Sequence, residues 1–411
     1  MLADPAVYGA GVPWQEFARR RRAAAVTWVD EPALRRHSTA GGVRSHRGSG
    51  FWAVTQHAAI VSASRSPTVF SSAARGAFLA DPETAEDLER ARQLLVNMDA
   101  PEHGRIRHLV TAAFTPRAVH ALSASIHDHA ARLAGRALAA GGFDAVADIA
   151  AELPLLVLAD LLGIPRSDRG LLLRWSNNLV GFDDPEYGAG SVDSYRETFG
   201  EAFRYARDLA ARRRRSPGDD LISGLVAANG TGRRLTDQEF CQLWLLLVIA
   251  GNETTRHLLS GALLALAEQP DQVSMLVADP GRTPRAVDEL LRWVTPIMQF
   301  RRTALADTEL GGQRIRAGEK VVLYYISANR DETVFRAPDR LDLGRQPNPH
   351  LAFGVGPHYC LGSHLAHLET RIMLDAMRPY LADLRLAGPV TRLQSSFMNG
   401  IKSLPMTVVS R

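Results

Sequence analysis

Cysteine is nearly absent from this chain, which has two, Cys241 and Cys360, among 411 residues. That scarcity excludes a secreted disulfide framework and fits a reducing cytoplasm. Lysine is as rare, at positions 320 and 402 only, so almost all positive charge is arginine. The clusters Arg19 to Arg22 and Arg212 to Arg215 have no interleaved aromatics to stack on bases. Solvated helix faces are expected there, and nucleic-acid binding is not. Long apolar runs are missing too. The longest, Leu243 to Gly251, is only half the length of a membrane span, which takes ~20 residues, so no membrane association is expected. The opening MLADPAVYGAGVPW has neither a basic n-region nor an apolar h-region, and no signal peptide is expected. No Gly/Ser tract, Pro-rich spacer or repeat divides the chain, so a single domain over 1–411 is the expectation.

What is present is ordinary globular chemistry, with 46% apolar and 22% charged residues and a modest net charge of +4. Apolar residues recur at three- and four-residue spacing over 104–115, 118–140, 150–162, 192–213, 237–268, 284–293 and 361–380, which predicts helices. Strands are expected at 50–55, at 320–326 (KVVLYYI) and at the C-terminal LPMTVV. The fold class is mainly α with small β hairpins or sheets.

One helix stands apart. Thr236-Asp-Gln-Glu239 is a capping box, and the apolar pattern then runs to about Glu268, where Pro270 stops it. Its length, about 48 Å at 1.5 Å per residue, is enough to cross a domain. A helix rich in LWLLLVIA is buried on most faces, yet Gly251-Asn252-Glu253-Thr254-Thr255 interrupts it with polar residues. Such an interruption marks a site.

A second segment carries chemistry: Phe353-Gly354-Val355-Gly356-Pro357-His358-Tyr359-Cys360-Leu361-Gly362. Its glycines and proline forbid regular structure and let backbone pass close to something flat. Gly362 permits tight packing as the next helix, from Leu361 onward, begins. A cysteine at a helix N-terminus has its thiolate stabilised by free amides and the dipole, and a thiolate is an electron-donating iron ligand.

Phe353-x-x-Gly356-x-x-x-Cys360-x-Gly362 resembles the cysteine loop of the cytochrome P-450 family. The resemblance implies one large cytochrome P-450-type domain, with the long helix lying over haem b (iron protoporphyrin IX) and Cys360 ligating its iron. Phe353, Gly354, His358 and Gly362 belong to the same cofactor-binding loop. Further motifs match the family in order. Glu289 and Arg292, three apart on a helix, resemble its Glu-x-x-Arg, which binds a meander segment, here about Arg340 to Arg345, and holds the cysteine loop. His103 and Arg107, four apart, resemble donors to a haem propionate, and Arg302 and His358 resemble two more. Buried propionates need several cations. Ala250-Gly251-Asn252-Glu253-Thr254-Thr255 resembles the family's oxygen-side motif. In it Ala250 and Gly251 let the helix approach the haem, and Gly251 leaves room for dioxygen. Thr254 bonds back to a helix carbonyl or to bound peroxide and opens the helix locally for water, while Glu253 relays protons from solvent. Cys241 reads as packing.

The resemblance implies a monooxygenase that inserts one oxygen atom from dioxygen into a mid-sized, largely apolar small molecule, with electrons from a ferredoxin and its reductase. A docking face for them is expected around Arg105, Arg117 and Arg345. By the same analogy the substrate pocket is lined by the loops Arg75 to Asp87 and Asn177 to Asp183, with Leu247, Ala250, Ile297, Gln299, Phe300, Phe397 and Met398. Asn177 and Gln299 are its polar handles. AGNETTR, PNPHLAFG and FMNGIKSLP look similar to bacterial sterol, terpenoid and branched-lipid hydroxylases. Tailoring of a polyketide or other secondary metabolite is an equal alternative. Two other classes remain. A haem-based gas sensor would not need the Glu253–Thr254 pair. A zinc-stabilised helical binding module would draw on His350, His358, Cys360, His364 and His367, at spacings that match no common zinc site. His364 and His367 read as surface or packing residues.

Overall fold

The interior is organised by the long helix, Asp237–Glu268, of 32 residues. In this computed structural model, which describes residues 2–38, 42–82, 84–227 and 235–409, the capping box is present. Glu239 N donates to Thr236 Oγ1 at 3.2 Å and Thr236 N to Glu239 Oε2 at 2.7 Å. Pro270 opens the next helix, Pro270–Ala278, because its fixed φ suits a first turn while its missing N–H could not continue the previous one. Around the long helix pack Glu152–Leu162, Arg169–Val180, Val192–Arg215, Thr283–Val294 and Ser363–Leu381. Trp244, Leu245, Val248, Leu259 and Ala262 fill the space between them. Each large side chain so buried contributes about 1.5–3 kcal/mol.

A five-stranded sheet lies beside this helical core, in the order Val26–Val29, Phe51–Val54, Lys320–Leu323, Phe300–Ala304, Phe70–Ser71. The strands Phe51–Val54 and Lys320–Leu323 run parallel and their other neighbours antiparallel. Lys320 stands opposite Thr303 and Val321 opposite Arg302. Side chains alternate between faces of a strand. Arg301 therefore shares a face with Lys320, while Phe300 and Arg302 share the other.

The expected helices form, with shifts at their ends. The 118–140 pattern divides into Pro116–Ala121 and Ser123–Ala139, and Glu152–Leu162 follows a wider turn over Val146–Ala150. The strand at KVVLYYI leaves the sheet after Leu323 and becomes the helix Tyr325–Ala328. A polar hairpin, Ala33–Ser38 with Gly42–Arg47, has no apolar alternation to announce it. The arginine clusters are less solvated than expected. Arg21 is buried, with Nε on Glu332 Oε2 at 2.9 Å, and Arg213 Nη2 donates to the Gly163 carbonyl at 2.7 Å. Among the described residues no helix is long and apolar enough to cross a membrane.

Candidate active site

The cysteine loop is closed by its own backbone. Cys360 N donates to the Phe353 carbonyl at 2.9 Å, and Leu351 N to Asn329 Oδ1 at 2.7 Å. Gly354 (φ +68°) and Gly356 (φ +79°) lie in the left-handed region, and a Cβ at Gly356 would meet the Ser64 carbonyl at 2.6 Å. Only glycine serves there. The following helix, Ser363–Leu381, starts two residues later than expected, with Gly362 as its N-cap. Burial pushes the Cys360 thiol up, against the Gly362 amide and Arg107, which pull it down. Gly362 also differs from expectation. A Cβ there would have no protein atom within 4 Å, so the open space beside it, rather than tight packing, suits a flat group.

Beside this loop two arginines and two histidines converge. His103 lies on the helix Glu102–Thr111 with its ring 4.3 Å from that of His358, and the Ser72 hydroxyl lies 3.3 Å from His358 Nε2. Arg107 Nη2 donates to the Tyr359 carbonyl at 2.7 Å, and Arg302 Nη1 to the Arg301 carbonyl at 2.7 Å. Burial, then Arg302, His103 and Arg107, push the His358 pKa down to about 3. His103 is lowered by burial and by Arg107 and Arg302, against Asp99. Asp99 is itself taken up by the Ser71 hydroxyl and the Ser72 amide. Arg107 and Arg302 form no ion pair with a carboxylate among the described residues, and two partly buried guanidiniums are unfavourable without an anion. The donor set, the thiol and the space at Gly362 together fit haem b, a flat dianion around iron.

The polar interruption of the long helix lies on two faces. Ala250 is exposed in a helix whose neighbours are mostly buried, and Thr254 Oγ1 donates to the Ala250 carbonyl at 2.7 Å. The helix is nonetheless unbroken there, so the expected opening is absent. Gly251 serves packing instead. A Cβ there would lie 3.1 Å from Leu158 Cδ1, so its smallness admits the Glu152–Leu162 helix, while Ala250 is the small residue left open. Glu253 does not face solvent. It is 2% exposed and held by Arg256 Nη1 at 3.2 Å, His257 Nε2 at 3.4 Å and Asn252 Nδ2 at 3.2 Å. Burial pushes its carboxyl up, but Arg256 and His257 outweigh it and keep the pKa low. Arg256 continues to Asn177 Oδ1 at 2.7 Å and the Tyr187 hydroxyl at 3.1 Å. Asn177 thus braces the long helix through its amide oxygen, a correction to its expected place as a substrate handle. Arg256, His257 and Tyr187 escaped sequence reasoning, although the arginine of AGNETTR is in the motif.

Glu289 and Arg292 form a two-pronged buried pair, Nε to Oε2 and Nη2 to Oε1 each at 2.8 Å. Arg292 Nη1 reaches the carbonyls of Asn329 (2.7 Å) and Pro338 (2.9 Å), and Asp342 N donates to Glu289 Oε1 at 2.9 Å. Arg345 joins through Nε at 3.0 Å from Glu289 Oε2 and is 9% exposed. That burial removes it from the expected docking face, and Arg105 is committed to Glu102 and Glu239. Of the three, Arg117 alone is exposed, and it forms no ion pair among the described residues.

The pocket residues come together in part. Phe300 and Phe397 lie 5.4 Å apart by ring centroids, and Phe78 completes a trio at 6.2 and 5.3 Å from them. Ile297 bridges Met398. Leu247, on the long helix one turn before Ala250, is 8% exposed. Gln299 is 1% exposed with Oε1 unpartnered, so a handle at this position remains open. Within the expected loop 75–87, Glu83 lies outside the described residues. Cys241 is buried, its thiol 3.8 Å from the Phe203 carbonyl, as a packing residue. His367 bonds Asp288 Oδ1 at 2.8 Å and the Ser363 carbonyl at 2.8 Å.

A mainly α fold around one long helix, with a thiol beside a set of uncompensated cations, is the architecture of a haem-thiolate oxygenase. The cytochrome P450 family model matches residues 283–377. The chain is 40% identical over 404 residues to a steroid C26-monooxygenase of Mycobacterium tuberculosis, covering 98% of this chain and 90% of that one. A methyl-branched lipid omega-hydroxylase of the same species is 40% identical over 88% of this chain and 84% of its own. A Mycobacterium marinum cytochrome P450 in complex with pseudoionone superposes with a TM-score of 0.88 at 40% identity, over 98% and 96% of the two chains. The chain belongs to the cytochrome P450 family. It is a monooxygenase and its cofactor is haem b.

Proposed function

We propose that this monooxygenase hydroxylates a mid-sized, largely apolar molecule of the sterol, terpenoid or methyl-branched-lipid kind, with Cys360 as the iron's thiolate ligand. The observation that carries the reading is Ala250, exposed on an otherwise buried helix of a chain whose Phe78, Phe300 and Phe397 form an aromatic wall. Such an apolar wall suits a hydrocarbon body. The relatives named for steroids and methyl-branched lipids point the same way.

The haem, when bound, supplies the activation of dioxygen that converts a C–H bond, with two electrons and two protons, to an alcohol and water. The chain supplies the rest. His103, Arg107, Arg302 and His358 hold the propionates, and Glu289 with Arg292 fixes the segment that carries the cysteine loop. The Thr254 hydroxyl, its proton given to the Ala250 carbonyl, presents its oxygen as an acceptor on the open face of the helix. Glu253 does not reach solvent itself: Arg256 and His257 hold it as a carboxylate next to Thr254, and Arg256 is fixed in turn by the Tyr187 hydroxyl. Electrons come from a ferredoxin and its reductase, met by the face that includes Arg117.

Two measurements test the proposal. The dithionite-reduced protein with carbon monoxide is expected to give a strongly red-shifted Soret band, lost in Cys360→Ser. With ferredoxin, reductase and NADPH, pseudoionone, a sterol ketone and a methyl-branched fatty acid are then offered. A product one oxygen atom heavier is expected from at least one of them. A band typical of histidine ligation, or turnover of a polyketide with none of these three, would sink it.

A further inference from the structure

Only two of the chain's 48 basic residues are lysine, and both end in ion clasps with buried carboxylates. Lys402 holds Asp184 at 3.0 Å and Glu186 at 2.9 Å. Lys320, whose side chain is 1% exposed, is the more deeply placed. Its Nζ donates to Glu31 Oε2 at 2.8 Å, Asp81 Oδ2 at 2.8 Å and the Leu79 carbonyl at 3.0 Å. From the same face of the sheet Arg301 Nη1 donates to Asp81 Oδ1 at 2.7 Å. Burial pushes the Asp81 carboxyl up, but Arg301 and Lys320 outweigh it and hold it below its usual range. Two cations and two carboxylates thus balance one another, with Asp81 partly open to solvent and the other three buried. Three acceptors reach Lys320 from two chain segments, Glu31 and the loop of Leu79 and Asp81, which suits a tetrahedral ammonium with three donors better than a planar guanidinium.

The clasp holds the loop that follows Phe70–Ser71. Ala77 is fixed on both sides, its N–H on Asn97 Oδ1 at 2.8 Å and its carbonyl on Arg301 N at 2.8 Å. Leu79 and Asp81 are fixed by Lys320 and Arg301. Between these anchors lies Phe78, still 38% exposed, edge-on to Phe397. One strand therefore serves three tasks by alternation: Phe300 in the aromatic wall, Arg301 in the clasp, Arg302 in the cation set.

The geometry points to Asp81 and Lys320 as positioning residues for substrate selectivity: their clasp keeps Phe78 in the wall of the pocket assigned above to an apolar substrate. Without it, the loop would be anchored on one side of Phe78 only, at Ala77, and two ring contacts would have to hold the other side against its conformational freedom.

Haem-loaded wild type, Asp81→Asn, Phe78→Ala and the double variant are titrated with imidazole and with 4-phenylimidazole, following the Soret shift. Imidazole needs only the iron, whereas the phenyl ring also needs the wall. Both single variants are expected to weaken 4-phenylimidazole about tenfold and imidazole less than about twofold, with the double variant no weaker than Phe78→Ala alone. Hydrogen exchange over 72–82 is expected to quicken in Asp81→Asn. Additive losses, equal losses for both probes, or wild-type affinity in Asp81→Asn would overturn the assignment. If Asp81→Asn does not fold, Lys320→Arg, which keeps the charge, is held to the same outcomes. A wild type that takes up no haem instead overturns the monooxygenase reading, and is seen before any variant is made.

Discussion

Two buried charge clusters border the cysteine loop and follow opposite rules. In the first, Glu289 accepts from Arg292, Arg345, Asn348 and the Asp342 amide, and Arg292 spends its remaining donors on carbonyls. The Glu289 carboxylate is fully engaged, shared by two guanidiniums. In the second, Arg107 and Arg302 stand without an ion pair among the described residues and favour the neutral forms of His103 and His358, and the nearby carboxylate, Asp99, is held by Ser71 and Ser72. A closed cluster is a structural brace, and a same-sign cluster is a site that requires a ligand.

The largest expected effect breaks the closed cluster. Glu289→Ala leaves Arg292 and Arg345 buried without their carboxylate, and removing one partner of such a pair costs about 3–5 kcal/mol. Urea denaturation is expected to show that loss, together with loss of the red-shifted carbon monoxide band. A band kept at full height would mean that the brace does not position the cysteine loop.

A third kind of buried charge sharpens the contrast. Glu369 is 2% exposed, its Oε2 has no partner, and burial pushes its pKa up to about 8. Its folded pKa lies above the unfolded one, so stability is full below the unfolded value of 4.5 and is lost as pH rises towards about 8. Glu369→Gln should remove a pH dependence on the order of a few kcal/mol between those limits. Urea midpoints at pH 5 and pH 8 check this, and parallel changes in wild type and variant would refute it.

The smallest effect has two signs. Arg302→Leu relieves repulsion in the haem-free protein, where thermal stability is expected to stay level or rise by about 1 kcal/mol. In the haem-loaded protein it removes a propionate donor, so haem transfer to apomyoglobin should run faster. The closed cluster predicts loss in both states. Destabilisation of haem-free Arg302→Leu would make the two clusters alike.

Much of this was legible along the chain because the interactions are local. The capping box at Thr236 and Glu239, the helix stop at Pro270 and the left-handed glycines of the cysteine loop each depend on residues a few positions apart. So does the Glu289–Arg292 pair, one helix turn long. Period and spacing carry such information directly.

What tertiary structure alone decided is where the remaining valences of those residues go. Gly251 is small for the sake of Leu158, Asn177 belongs to Arg256, and Arg345 is buried on Glu289 rather than offered to a partner. The clasp of Lys320 joins Glu31, Asp81 and Arg301, which no local pattern brings together. Residue type and spacing determined that the chain would present a thiol, a cation set and a long polar-interrupted helix. Which charges close on one another and which stay open depends on contacts hundreds of residues apart. Those exist only once the helices and the sheet have packed and water has been excluded from between them.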